Sequence, residues 1–179
     1  MKKLFYFIII LIFCACSVTT EEDTPATATS SSTTLPDYET TTLSGKIGGT
    51  AWTFKTGRVT VPTSSSGSYS VSMINDNLSD ACSSTYTGTS SNPKVSFSRE
   101  TLTVGETEIA FKSYGTVTFY DGSTNYIVTT GKISIDTHTT TAVTGKMYAI
   151  FGTDTDQEIN GTFTLSRCCL SSGSYSLCE

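Results

Sequence analysis

At 179 residues, with 15% charged side chains and a net charge of −5, the chain is the size of one modest domain. Thr and Ser dominate its polar positions, a balance that favours strands and turns over helices, which lean on Glu, Lys, Ala and Leu. No run of Lys or Arg occurs beyond Lys3. This excludes a surface that neutralises nucleic-acid phosphates and a polybasic grip on anionic lipid.

Met1-Lys2-Lys3 is a short positive segment, and the apolar run from Leu4 to Phe13 follows it. A bilayer core of ~30 Å needs about 20 apolar residues to span, so this run has the length of a signal-peptide hydrophobic region instead. Directly after it stands Phe13-Cys14-Ala15-Cys16-Ser17. These residues resemble the lipobox of bacterial lipoproteins: an apolar residue, two small ones, then the Cys that is lipidated. Phe13 in place of Leu and Cys14 in the second slot depart from the usual pattern. The resemblance implies a signal peptide at 1–15, cleavage before Cys16, and a diacylglyceryl group on Cys16. Two or three acyl chains hold a protein stably where one does not. Loss of Lys2 and Lys3 would take the net charge from −5 to −7. Ser17 in place of Asp resembles the outer-membrane pattern of such lipoproteins. Glu21-Glu22-Asp23 is similar to the acidic surface-export signal of Bacteroidetes lipoproteins. The implied location is the cell envelope, in the outer membrane, facing periplasm or cell surface.

Residues 16–41 are expected to form the lipidated Cys and a disordered Thr/Ser-rich tether, since they carry no apolar periodicity to offset ordering entropy. A flexible coil of that length reaches roughly 25–30 Å. Residues 42–179 are expected to form an all-β domain, an antiparallel sandwich or jelly roll of about eight or nine strands.

Leu43, Gly45 and Ile47 alternate up to the Gly48-Gly49 turn. Trp52 and Phe54 share one parity and Val59 and Val61 the other, so a β-bulge is expected near Gly57. Tyr69, Val71 and Met73 mark a third strand, Val95 and Phe97 a fourth, Ile109 and Phe111 a fifth. Asp121-Gly122 between alternating segments predicts a two-residue type I′ hairpin. In it Tyr120 would oppose Ser123 and Val117 would oppose Tyr126, with Val117, Phe119, Tyr126 and Val128 on one face. A second bulge is expected at Gly131, before Ile133 and Ile135; the final strands carry Val143, Met147 and Ala149, then Ile159, Phe163 and Leu165. The stretch 131–169 resembles the C-terminal hairpins of uncharacterised bacterial lipoprotein domains. It matches through Gly131-Lys132-Ile133-Ser134-Ile135, Val143-Thr144-Gly145-Lys146-Met147 and Asn160 to Thr164. That resemblance implies a β-sandwich and no assigned activity.

Cys82, Cys168, Cys169 and Cys178 remain as structural cysteines in an oxidising compartment, where disulfides persist. Adjacent strand residues point to opposite faces, so one of Cys168 and Cys169 would meet Cys82 and the other Cys178. The parity of Phe163 and Leu165 places Cys169 on the core side. A vicinal Cys168–Cys169 bond and a zinc site are the alternatives, although paired ligands such as Cys-x-x-Cys are missing.

No catalytic or cofactor motif is present, and no cofactor is expected. His138, the single histidine, lies in a Thr-rich turn, and no Gly-x-Ser-x-Gly elbow exists. Carboxylates cluster at Asp76 with Asp80, at Glu106 with Glu108, and at Asp154, Asp156 and Glu158. The last group resembles a calcium loop but has Ile159 where Gly is required. Tyr86, Tyr114, Tyr120, Tyr148 and Tyr175 are candidates for an exposed sugar-stacking platform, while Trp52 is expected in the core. The function expected is a non-enzymatic binding or surface-display module, held at the membrane through Cys16 and meeting carbohydrate or another envelope protein. The alternatives are a carbohydrate-binding module and an envelope hydrolase using acidic loop residues.

Overall fold

The computed structural model describes residues 34–87, 92–109 and 115–179. Cys16 and the rest of residues 1–33, which include the expected signal peptide and most of the expected tether, lie outside the described residues, as do Phe111 and Tyr114. Among the described residues the fold is all-β, with twelve strands and one 3-10 turn at Ser84–Thr87. The strands are β1 (Ser44–Ile47), β2 (Thr50–Thr53), β3 (Thr56–Thr60), β4 (Tyr69–Ile74), β5 (Lys94–Arg99) and β6 (Gly105–Glu108). They continue as β7 (Val117–Tyr120), β8 (Asn125–Val128), β9 (Thr130–His138), β10 (Ala142–Phe151), β11 (Asp154–Ser171) and β12 (Ser174–Leu177).

All twelve belong to one sheet, ordered β6-β9-β10-β11-β3-β4-β5-β7-β8, with β1 and β12 also on β11 and β2 on β1. The expected sheet was antiparallel. One strand pair is instead parallel: Ser166, Arg167 and Cys168 of β11 lie opposite Arg58, Val59 and Thr60 of β3. The sheet curls, so that the Tyr126 ring of β8 meets Phe151 of β10 edge-on at 5.6 Å. Inside the curl is one main core, including Leu43, Ile47, Trp52, Val59, Met73, Phe119, Met147 and Leu165. Each such side chain contributes about 1.5–3 kcal/mol by leaving water. Trp52 is in this core as expected, its indole N–H donating to the Pro93 carbonyl at 3.1 Å.

The strand count exceeds the expected eight or nine for local reasons. Trp52 and Val59 do not share one bulged strand: Phe54 and Lys55 separate β2 from β3, and the two strands pair with different neighbours. At the expected fifth strand, β6 runs just before Ile109. Near Gly131 the parity change is a break at Thr129 between β8 and β9, and the bulge in β9 lies further on, where Thr144 faces Thr137 but Gly145 faces Ile135.

The Asp121-Gly122 turn also differs from expectation. Val117 faces Val128 and Tyr120 faces Asn125, so the loop has four residues, Asp121 to Thr124. The register is shifted by two residues, which leaves every side chain on its expected face. A two-residue turn with two positive φ values occurs instead at Ser172 (φ 51°) and Gly173 (φ 82°), joining β11 to β12.

β11 links the parts of the sheet. Up to Ser166 it pairs with β10; from Ser166 it pairs with β3, and its end with β12. At this change of partner its burial phase slips by one: Phe163 and Leu165 are buried, Ser166 and Arg167 half-buried, and Cys168 is buried at 0% exposure. The expectation that Cys169 faces the core is corrected accordingly; Cys168 does.

Candidate functional site

Cys82 and Cys168 form one disulfide, with Cα atoms 5.4 Å apart, and Cys169 and Cys178 form the other at 5.1 Å. The vicinal pair thus serves two partners on opposite faces. Beside the first bond, the Arg58 guanidinium stacks on Tyr86 at 4.3 Å and faces Tyr175 at 5.5 Å, while its Nη1 donates to the Ser83 carbonyl at 3.3 Å. Tyr86, with Ile74 and Ala81, forms a small second core on the outer side of β4, partly covered by Leu78.

This burial removes two of the candidate sugar-stacking tyrosines. Tyr86 is 2% exposed; its hydroxyl donates to the Ser72 carbonyl at 2.6 Å, and burial pushes its pKa up to about 12. Tyr148 is 6% exposed, and its hydroxyl pKa is raised by burial and then by the Glu158 carboxylate. Neither offers a ring face to a ligand. Tyr120 is half-buried on the outer side of β7, with Lys94 Nζ 4.9 Å from its ring centre and its hydroxyl donating to the Gly122 carbonyl at 2.7 Å.

The acidic groups are occupied locally. Asp154, Asp156 and Glu158 alternate along β11, as strand parity requires. Asp156 pairs with Lys46 at 2.8 Å, and Asp154 accepts the Asp156 backbone N–H at 2.9 Å. Asp80 accepts the Cys82 N–H at 2.8 Å, and Asp76 binds the Asn92 side chain. Glu106 and Glu108 lie on the outermost strand, β6. Among the described residues no group of three or more His, Cys, Asp and Glu side chains converges on a metal-sized space. His138 is exposed at the end of β9, opposite Val143.

Two features were not singled out from the sequence. The stretch from Asp37 to Thr41, expected to belong to the tether, is clasped to β11: the Asn160 side chain donates to the Asp37 carbonyl and accepts the Glu39 N–H, both at 3.0 Å. The Thr162 N–H then donates to Thr41 at 2.8 Å, and the Leu43 N–H to Thr162 at 2.8 Å. Tyr38 lies in this stretch with Lys132 over its ring at 4.6 Å. Ordered contact therefore starts before residue 42.

The second feature is a shallow hollow of about 260 Å³ on the outer face of the sheet, lined by Ser70, Ser96, Phe97, Ser98, Thr116 and Thr118. Three strands build it. Ser70 faces Ser98 across β4 and β5, and Ser72 faces Ser96, which in turn faces Thr118 of β7. Inward residues of the same strands (Val71, Val95, Phe97, Val117 and Phe119) anchor the sheet in the core, so alternation alone directs the hydroxyls outward. The sequence signal is Ser-x-Ser at 70–72 and 96–98 and Thr-x-Thr at 116–118, but only the strand register brings the three together. Arg58 and Ile127 end the central row of hydroxyls, and Lys94 and Tyr120 lie one row away. A ligand here meets hydroxyls that both donate and accept, and no formal charge in the lining.

No family model, no curated protein sequence and no solved structure matches the chain.

Proposed function

We propose that the chain is a lipid-anchored protein of the cell envelope whose β domain acts by binding or display outside the cytoplasm. The anchor half of this reading rests on Phe13-Cys14-Ala15-Cys16-Ser17 placed directly after a ten-residue apolar run. The membrane partner is then the bilayer itself, reached through acyl chains on Cys16, in the outer membrane facing periplasm or surface. The observation that carries the binding half is the outward hollow lined by Ser and Thr residues and bordered by Phe97, without charge. Such a surface can hold a hydroxyl-bearing ligand or an envelope partner by hydrogen bonds.

Replacing Cys16 with Ser tests the anchor. The wild-type chain is expected in the membrane fraction and labelled by an azido-palmitate analogue, and Cys16→Ser is expected in the soluble fraction without label. A wild-type chain that fractionates with the membrane but takes no label would overturn the lipidation.

A further inference from the structure

We infer that the hollow over β4, β5 and β7 is a binding site for a neutral glycan, occupied by one sugar ring at a time along a longer chain. The inference rests on the reading that the domain works outside the cytoplasm, and it names the ligand class.

Three observations and one general property of sheets converge. The first is the volume: about 260 Å³ accepts roughly one pyranose ring, below the usual 300–1,000 Å³ of a pocket for a whole drug-sized ligand. The second is chemical. The side chains of Ser70, Ser96, Ser98 and Thr118 make no hydrogen bond to any described residue, although all but Ser70 are half-buried. Half-buried hydroxyls without protein partners are satisfied by water or by a ligand, and a sugar hydroxyl replaces water on equal terms because it also donates and accepts.

The third is charge. Arg58, at the end of the central row, is engaged with Tyr86, Tyr175 and Ser83, and Lys94, one row away, with the Tyr120 ring. No carboxylate lines the hollow. An acidic glycan would gain nothing here over a neutral one. The fourth is shape. Neighbouring strands rotate by roughly 20–25°, so the hydroxyl rows at ~4.8 Å spacing form a twisted array rather than a flat lattice. A twisted array suits a flexible chain of sugars. The hollow is shallow, so each unit binds weakly and affinity grows with the number of units presented.

The test uses the full-length lipoprotein purified in lauryldimethylamine oxide, a detergent without a sugar headgroup. Binding is measured by calorimetry and by retardation in polymer-containing native gels. One arm uses neutral polysaccharide extracted from the envelope of the producing cells, and a second uses soluble neutral glucans and mannans. Polygalacturonate is the acidic control. Binding in either neutral arm, insensitive to salt and stronger than to polygalacturonate, supports the site and identifies the source of the ligand. The Ser96→Ala/Thr118→Val double variant is then expected to weaken binding by about tenfold or more, from the loss of two hydrogen-bonding groups. Ser70→Ala, on the exposed rim, is expected to weaken it by a smaller factor and to leave the fold intact should the double variant unfold. Absence of binding in both neutral arms, binding to polygalacturonate alone, or neutral-glycan binding unchanged in the folded variants overturns the proposal. Membrane fractionation of the same preparations reports on the anchor independently, so loss of glycan binding with retained membrane attachment rejects the site and leaves the anchor standing.

Discussion

Asp121 accepts four hydrogen bonds on one carboxylate. They come from the Ser123 N–H at 2.8 Å, the Ser123 hydroxyl at 2.9 Å, the Thr124 N–H at 2.7 Å and the Tyr126 hydroxyl at 3.0 Å. These donors favour the charged form, the Thr124 and Ser123 backbone N–H groups most, and lower the pKa from 3.8 to about 2. The same contact raises the pKa of the Tyr126 phenol, so the two partners agree in direction. This arrangement explains why Asp-Gly does not form a two-residue turn here. The Asp side chain caps the next backbone N–H groups, a role short polar side chains take in turns, and so opens the loop to four residues. Because the folded pKa lies below the unfolded one, the contribution is complete above about pH 3.8 and is lost as pH falls through about 2. The Ser123 and Thr124 amide resonances should therefore shift with a midpoint near pH 2, and Asp121→Asn should abolish that transition. A midpoint at the ordinary Asp value in the wild type would contradict the cap.

Legibility at the scale of elements depends on whether a feature is local. Alternation located most of the strands, including the inward set Val117, Phe119 and Val128, because it is written in each strand's own residues. The two-residue slip at Asp121 to Thr124 was invisible to that pattern, since an even slip moves no side chain across the sheet. The slip of one in β11 reversed the placement of Cys168 and Cys169, and its cause is a strand 108 residues away, β3, which takes over pairing at Ser166. The hollow was hidden for the same reason: its Ser and Thr residues read as ordinary solvent-facing positions until register groups them. β12 was missed although Ser172-Gly173 supplied a turn signal, because a four-residue strand with two Ser resembles a tail. Glycines test these element junctions. A Cβ on Gly131 (φ +145°) would lie 2.2 Å from the Tyr148 carbonyl oxygen across the β9–β10 pair, whereas one on Gly173 (φ +82°) would meet nothing within 4 Å. Gly173→Ala should cost only the left-handed strain, about 1–2 kcal/mol. Gly131→Ala adds displacement of a paired backbone and should cost about 3 kcal/mol or more. Urea unfolding of the two variants checks the order, and equal costs would refute it.

At the scale of the whole molecule, β11 and the two disulfides joined to it tie distant parts of the chain. Cys82–Cys168 spans 86 residues and fastens the segment carrying Tyr86 and the second small core onto the sheet, beside the parallel β3–β11 pair. Cys169–Cys178 spans 9 residues and closes a hairpin that backbone pairing already holds, from Cys168 opposite Leu177 to Ser171 opposite Ser174. In the chain-entropy account, the longer loop restricts the unfolded chain more, by about 4–5 kcal/mol against roughly 2.5 for the shorter. The local hairpin also loses less when its bond is cut, since a terminal two-strand ribbon can fray without opening the core. Each bond is best removed as a pair, because a single substitution leaves its partner thiol next to an intact disulfide. The Cys82→Ala/Cys168→Ala variant should therefore unfold at a clearly lower urea concentration than Cys169→Ala/Cys178→Ala, with a difference of about 2 kcal/mol. Both bonds are expected closed in the folded protein, so mass spectrometry without reduction should find no free thiol at these four positions. A free Cys82, or equal destabilisation of the two paired variants, would show that the long-range bond does not dominate the stability of the fold.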